Sequence, residues 1–208
     1  AEGVEENIYV DTAGLVSIGI GFNLSDKPVF DTVVNHIFPH ATPDQRAELF
    51  AATSVSYPIE NQESLSQAKL SEARKKVTAA ARRDLHEITQ RLGLDKLEFN
   101  SDTGPQKIED VFFALKPTYE AILDSRFQSH KRKPPLMDPS EERAALLSLV
   151  YNAPTLIGNN LLTAIADDNR ANAWYEIRYG SNLHDVGSVA KRRLFEARAS
   201  LSLRIVWA

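Results

Sequence analysis

β-forming residues open the chain in short runs separated by turn residues. Asn7-Ile8-Tyr9-Val10 leads to Asp11-Thr12-Ala13-Gly14, a turn signature. Leu15-Val16-Ser17-Ile18 follows, then Gly19-Ile20-Gly21 and Phe22-Asn23-Leu24. The pattern predicts a β-meander over residues 7–24. Two glycines two positions apart mark a bend or a close backbone approach. A tight hairpin explains them, and so does a sugar pressed against the backbone.

From residue 28 the apolar spacing lengthens to three or four. Val29, Val33, Val34 and Ile37 predict a helix over 28–38, and Thr42-Pro43-Asp44-Gln45 predicts the start of another, with Pro at its first position. Leu65, Ala68, Val77, Ala81, Leu85, Ile88 and Leu92 predict one long helix or two over 65–92, ended by Gly93. Residues 94–106 read as a polar loop, 107–127 as a helix interrupted at Pro117, and 130–139, with three prolines, as a connector. Asp138-Pro139-Ser140-Glu141 opens a helix whose Ala144, Ala145, Leu147, Leu149 and Val150 predict burial on most sides. Further helices are expected over 159–167, 170–179 and 187–203. A small sheet followed by many helices is an α+β order.

Composition narrows the class. The 208 residues, 43% hydrophobic and 25% charged, suit one domain built of two lobes, with a core that needs no metal or disulfide. There are no cysteines, which removes disulfides and thiolate metal sites and leaves periplasm and cytosol both open. A net charge of -4 gives no support to a nucleic-acid binder. The basic runs Arg74-Lys75-Lys76, Arg82-Arg83, Lys131-Arg132-Lys133 and Lys191-Arg192-Arg193 read as solvated helix faces or loops. No apolar stretch approaches the ~20 residues of a membrane span, and no signal peptide is evident. The first residue is Ala rather than Met, so the chain reads as processed or cut from something longer.

The candidate chemistry lies at the start. Glu2-Gly3 precedes Tyr9-Val10-Asp11-Thr12-Ala13-Gly14 and Ser17-Ile18-Gly19-Ile20-Gly21, with nine residues from Glu2 to Asp11 and six from Asp11 to Ser17. A glycosidic bond breaks when one carboxylic acid protonates the leaving oxygen while a second group deals with the anomeric carbon. This block resembles the catalytic opening of the T-even phage lysozyme family. There, an acidic Glu-Gly leads into a Tyr-x-Asp-x-x-Gly hairpin and a Thr-Ile-Gly-x-Gly strand. The resemblance implies an α+β, lysozyme-like fold over 1–208: a catalytic hairpin lobe at 1–40, a helical insertion at 41–100 and a helical lobe at 101–208. It also implies a muramidase that cleaves the β-1,4 bond between N-acetylmuramic acid and N-acetylglucosamine. Glu2 is then the acid, kept protonated by enclosure, and Asp11 is its charged partner. Asp11 and the Ser17 hydroxyl hold the attacking water in an inverting reaction, which requires carboxyls roughly 6.5–9.5 Å apart. Three departures stand out: Ser17 replaces the usual Thr, Phe22 replaces a common His, and only Ala1 precedes Glu2 where relatives carry a helix.

Later segments add to the resemblance. Arg143 to Asn152 is similar to the buried central helix of these lysozymes, which ends in an aromatic and an amide at the cleft. Tyr151 and Asn152 match that pair. An amide can bond an N-acetyl group and an aromatic can pack on a ring face, yet Tyr151 could equally be core and Asn152 a cap. Gly21 and Phe22 also fall in the expected sugar-binding set. Ala173-Trp174 to Asn182 and Ala190-Lys191-Arg192-Arg193 with Glu196 resemble blocks of bacterial members. Arg192, or else Arg193, is expected to pair with Glu2, and Trp174 is expected in the core. The resemblance implies no metal and no cofactor, and His36 with His40 makes a poor zinc pair because Pro39 lies between them.

The expected partner is the peptidoglycan strand, met by a monomer acting in the bacterial periplasm or cell wall. The chain would be a phage endolysin or the lysozyme domain of a toxin, such as a type VI secretion effector or bacteriocin, with an immunity protein or secretion carrier. The alternatives are a lysozyme-fold module that binds peptidoglycan without cutting it, and a chitinase-like glycosidase.

Overall fold

The computed structural model describes residues 5–100, 104–131 and 140–180. Glu2, Arg192, Arg193, the helix expected over 187–203 and most of the connector expected over 130–139 lie outside them. The architecture is mixed α+β and mostly helical, with one small antiparallel sheet. The described residues up to Leu115 form one compact unit and those from Lys116 a second.

In the first unit, β1 (Glu5–Val10), β2 (Val16–Gly19) and β3 (Phe22–Asn23) form the predicted meander in the order β1-β2-β3. Val10 pairs with Val16, Tyr9 with Ser17, Ser17 with Asn23 and Ile18 with Phe22. A bulge between Glu5 and Tyr9 interrupts β1. Alternation across the strands puts Ile8, Val10, Val16, Ile18 and Phe22 on one face, and each is buried. Tyr9, Ser17 and Asn23 share the other.

Three helices follow the sheet. α1 (Lys27–Ile37) buries Val29, Val33 and Val34 of the predicted stripe and Phe30 beside them, while Ile37 is only partly buried. α2 (Pro43–Thr53) begins with a reciprocal cap: the Thr42 Oγ1 accepts the Gln45 N–H at 3.3 Å, and Gln45 Oε1 accepts the Thr42 N–H at 2.7 Å. α3 (Gln67–Arg91) is a single helix rather than two. Gly93, at φ +68°, ends it, and the Leu94 N–H reaches back to the Thr89 carbonyl at 2.8 Å. α1 packs on β3, α3 on β1 and α2 against both of those helices.

The stretch expected as a polar loop over 94–106 carries part of the core. Leu97 and Phe99 are buried, Glu98 bridges Asn7 across a short antiparallel contact, and helix has begun by Gly104. Polar flanks hid two apolar residues whose partners are distant in sequence.

α4 (Gly104–Ser129) corrects the expected interruption at Pro117, which lies inside a continuous helix. Pro lacks the N–H that would bond the carbonyl of Phe113. Phe113 is 56% exposed, so the missing bond lies on the outer side of α4, and the helix continues through it. The first half of α4 contributes Ile108, Val111 and Leu115 to the first unit, and the second half contributes Leu123 and Phe127 to the second.

The second unit is helical. α5 (Glu141–Asn152), capped by Ser140, buries Ala145, Leu146, Leu149 and Val150; of the residues expected to be buried, Ala144 is exposed and Leu147 half-buried. α6 (Asn159–Ala166) and α7 (Arg170–Arg178) complete the cluster with Leu161, Leu162, Ile165, Ala173 and Ile177. Two ion pairs clamp its rim: Arg143 with Asp124 at 2.9 Å, and Glu142, only 6% exposed, with Arg170.

Candidate functional site

Asp11 starts the β1–β2 turn. Its N–H donates to the Leu15 carbonyl at 2.9 Å, and the Gly14 N–H returns to the Asp11 carbonyl at 3.2 Å. Gly14 sits at φ +79°. This is a three-residue hairpin loop, a type I turn closed by a left-handed residue. The side chain builds the same turn, since Oδ1 accepts the N–H of Ala13 at 2.8 Å and of Leu15 at 2.9 Å. Asp11 is therefore a turn former. Its second oxygen, Oδ2, accepts no hydrogen bond from the described residues, and a carboxylate has acceptor capacity for both oxygens.

Ser17 lies on β2, opposite Tyr9 and Asn23 on the face that the register also gives to Asp11. It is 1% exposed, in a strand with every residue buried. Asn23 turns its Oδ1 to the Ser25 backbone N–H at 2.9 Å and to its hydroxyl at 2.7 Å.

Gly19 and Gly21 take φ of +70° and +110° in the β2–β3 turn. At Gly19 an added Cβ would lie 2.8 Å from the Phe22 ring. The close approach anticipated at this glycine pair is thus made by Phe22 itself. Phe22, expected among the sugar-binding residues, is corrected to a core residue: at 1% exposure it has no face left for a ligand. Gly21 remains at the turn, partly exposed.

Residues from the expected insertion hold this hairpin in place. The Tyr57 N–H donates to the Gly14 carbonyl at 2.7 Å, and the Tyr57 hydroxyl donates to Asp84 on α3 at 3.2 Å. Burial raises the Tyr57 pKa, and the charge and hydrogen bond of Asp84 raise it further. On the edge of β1, Thr78 Oγ1 accepts the Val10 N–H at 3.0 Å and Arg82 Nε donates to the Ile8 carbonyl at 2.7 Å. Arg82 is exposed, as the solvated-face reading of its run expects, yet its Nε is spent on a strand carbonyl. The reading falls short at Arg74, which is partly buried and whose Nε is buried without a hydrogen-bond partner. Sequence reasoning missed Thr78 and Arg82 because their partners lie 68 and 74 positions away, beyond any local pattern.

Tyr151 and Asn152 lie in the second unit, at the end of α5. Tyr151 is half-buried edge-on to Tyr119, with ring centroids 5.3 Å apart, while Asn152 is exposed and its Nδ2 donates to the Ser148 carbonyl at 2.5 Å. Trp174 packs on the core of this unit, as expected. An open groove of about 580 Å³ follows one face of α4, along Pro117, Ala121, Ile122 and Ser125, and none of the sequence-predicted residues lines it. His36 Nδ1 bonds the Thr32 carbonyl of its own helix at 2.8 Å. Among the described residues no group of three or more His, Asp or Glu side chains is placed to hold a metal, and no helix is long and apolar enough to cross a membrane.

No protein-family model matches the chain, and neither the curated proteins nor the solved structures contain a match to it.

Proposed function

We propose that the chain is a peptidoglycan hydrolase that cuts the bond between N-acetylmuramic acid and N-acetylglucosamine, with Glu2 as acid and Asp11 as its charged partner. One observation supports it most. The Asp11-to-Ser17 block, singled out for its spacing, forms a three-residue hairpin with Asp11 at the first turn position and Ser17 on the same sheet face. Glu2 protonates the departing oxygen. Asp11, through Oδ2, takes a proton from water as that water attacks the anomeric carbon, and the anomeric centre inverts. Ser17, at 1% exposure, orients Asp11 or the water from beneath rather than from an open surface. Tyr151, Asn152 and Arg192 complete the proposed set: Asn152 for an N-acetyl group, Tyr151 for a ring face and Arg192 for Glu2.

A second reading has an observation of its own. The Asp11 carboxylate already serves the turn through two backbone N–H groups, which a non-catalytic hairpin would need as well. That favours a module that grips peptidoglycan without cutting it. Turbidity of purified cell walls separates the two: a hydrolase clears them, and Glu2→Gln lowers the rate by a factor of about 10² or more. Equal and negligible clearing by both proteins overturns the hydrolase.

As a toxin domain or endolysin, the protein would act in the periplasm or wall on the glycan strand, with an immunity protein or carrier as further partner.

A further inference from the structure

α3 carries two basic side chains one turn apart, Arg82 and His86, and so presents them on one face. Both line a small recess together with Asn7 of β1 and Lys96 from the stretch after α3. Ile8, Leu85 and Leu97 supply its apolar lining, and each is buried. The recess measures about 20 Å³, room for the oxygens of one anionic group rather than for a sugar ring.

Arg82, His86 and Lys96 are all exposed, and their donors are only partly used. A guanidinium has five N–H donors. The Arg82 Nε–H meets the Ile8 carbonyl at 2.7 Å, which anchors the group, and its two terminal nitrogens have no partner among the described residues. The His86 ring has none there either. Lys96 donates to Asn7 Oδ1 at 3.0 Å and to Glu98 Oε2, so one of its three N–H groups remains. Glu98 offsets much of the Lys96 charge, whereas Arg82 has no acidic partner among the described residues. A fixed cation beside apolar walls attracts an anion more strongly than one surrounded by water.

We propose that this recess binds one phosphate group, with the terminal nitrogens of Arg82 gripping two of its oxygens and His86 and Lys96 donating to the others. The planar fork of arginine matches phosphate in this two-point way. A carboxylate has two oxygens, both satisfied by the fork, and leaves His86 and Lys96 idle. A tetrahedral phosphate uses all three side chains. Free inorganic phosphate and a phosphate ester present the same chemistry. The assignment does not rest on the hydrolase proposed above, since Glu2 and Asp11 take no part in it.

The test is an NMR titration of the full chain near neutral pH at constant ionic strength, with inorganic phosphate, methyl phosphate and acetate as probes. Phosphate should move the amide signals of Asn7, Arg82, His86 and Lys96 along a saturating curve, and acetate should bind more weakly. Arg82→Lys keeps the charge without the fork and should weaken phosphate binding about tenfold. His86→Ala should weaken it about fivefold. Arg83→Gln removes an exposed charge that does not line the recess and should bind as wild type does. Arg82→Lys also gives up the Ile8 bond, so His86→Ala, which disturbs no side-chain hydrogen bond of the fold, decides if Tm falls. Equal binding of methyl phosphate extends the site to esters, and binding of inorganic phosphate alone confines it to the free ion. Shifts that never saturate, acetate binding as tightly as phosphate, or wild-type affinity in both recess variants overturns the assignment. A loss in Arg83→Gln as large as theirs overturns it too, because it marks general surface charge.

Discussion

At the β1–β2 turn, Asp11 Oδ1 accepts the N–H groups of Ala13 and Leu15 while Oδ2 accepts none from the described residues. Two substitutions separate the architectural use of this side chain from the proposed chemical one. Asparagine keeps a carbonyl oxygen for the two backbone donors but has no charge. Asp11→Asn should therefore melt near wild type and clear cell walls slower by a factor of about 10²–10⁴. Asp11→Ala removes the acceptor too, and should lower stability by about 1–2 kcal/mol in urea unfolding. A stable and fully active Asp11→Asn protein would leave Asp11 as a turn former only. Gly19 gives a further check on the hairpin. With φ at +70° and an added Cβ 2.8 Å from the Phe22 ring, Gly19→Ala should cost roughly 1–3 kcal/mol, readable as a fall in the urea midpoint. An unchanged midpoint would mean that Phe22 repacks freely. The turn was legible in the sequence because Asp, Ala-Gly spacing and β-formers act over a few residues. The burial of Phe22 was not, because the ring's partner is the bare Gly19 backbone, and an aromatic beside glycines looks the same whether it faces sugar or core.

Elements show the limits of local rules. Proline predicted a break in α4, yet the helix passes through Pro117 where Phe113 is exposed. Pro117→Ala restores an N–H for the Phe113 carbonyl and should raise stability by roughly 1–3 kcal/mol. A decrease would show instead that packing depends on a bend set by the proline. The strap from Tyr57 to Asp84 makes a pH prediction. Burial and Asp84 raise the Tyr57 pKa above its ordinary value, so the neutral hydroxyl adds stability below pH ~10. That contribution drains away as pH climbs from about 10 through the higher folded value. Tyr57→Phe should therefore flatten the alkaline loss of stability, measured as Tm from pH 8 to 11. Identical slopes would place the Tyr57 hydroxyl in water. Helix spans over 28–38 and 65–92 were readable because an apolar stripe states its own period. The side chains of α3 that cap β1 were not, because Thr78 and Arg82 carry no mark of the strand they meet.

On the scale of the whole molecule, the order of a small sheet followed by helices was readable from the change of apolar period near residue 28. The division at Lys116 was not, since it falls within a helix and no Gly, Ser or Pro-rich linker announces it. Each unit has its own apolar cluster, and in the second Glu142, 6% exposed, pairs with Arg170. The most direct measurement is mass spectrometry of purified peptidoglycan digested by wild type, Glu2→Gln and Asp11→Asn. Wild type should release fragments with new reducing N-acetylmuramic acid ends, and both variants should release almost none. Reducing N-acetylglucosamine ends, or no new ends from any of the three, would contradict the muramidase.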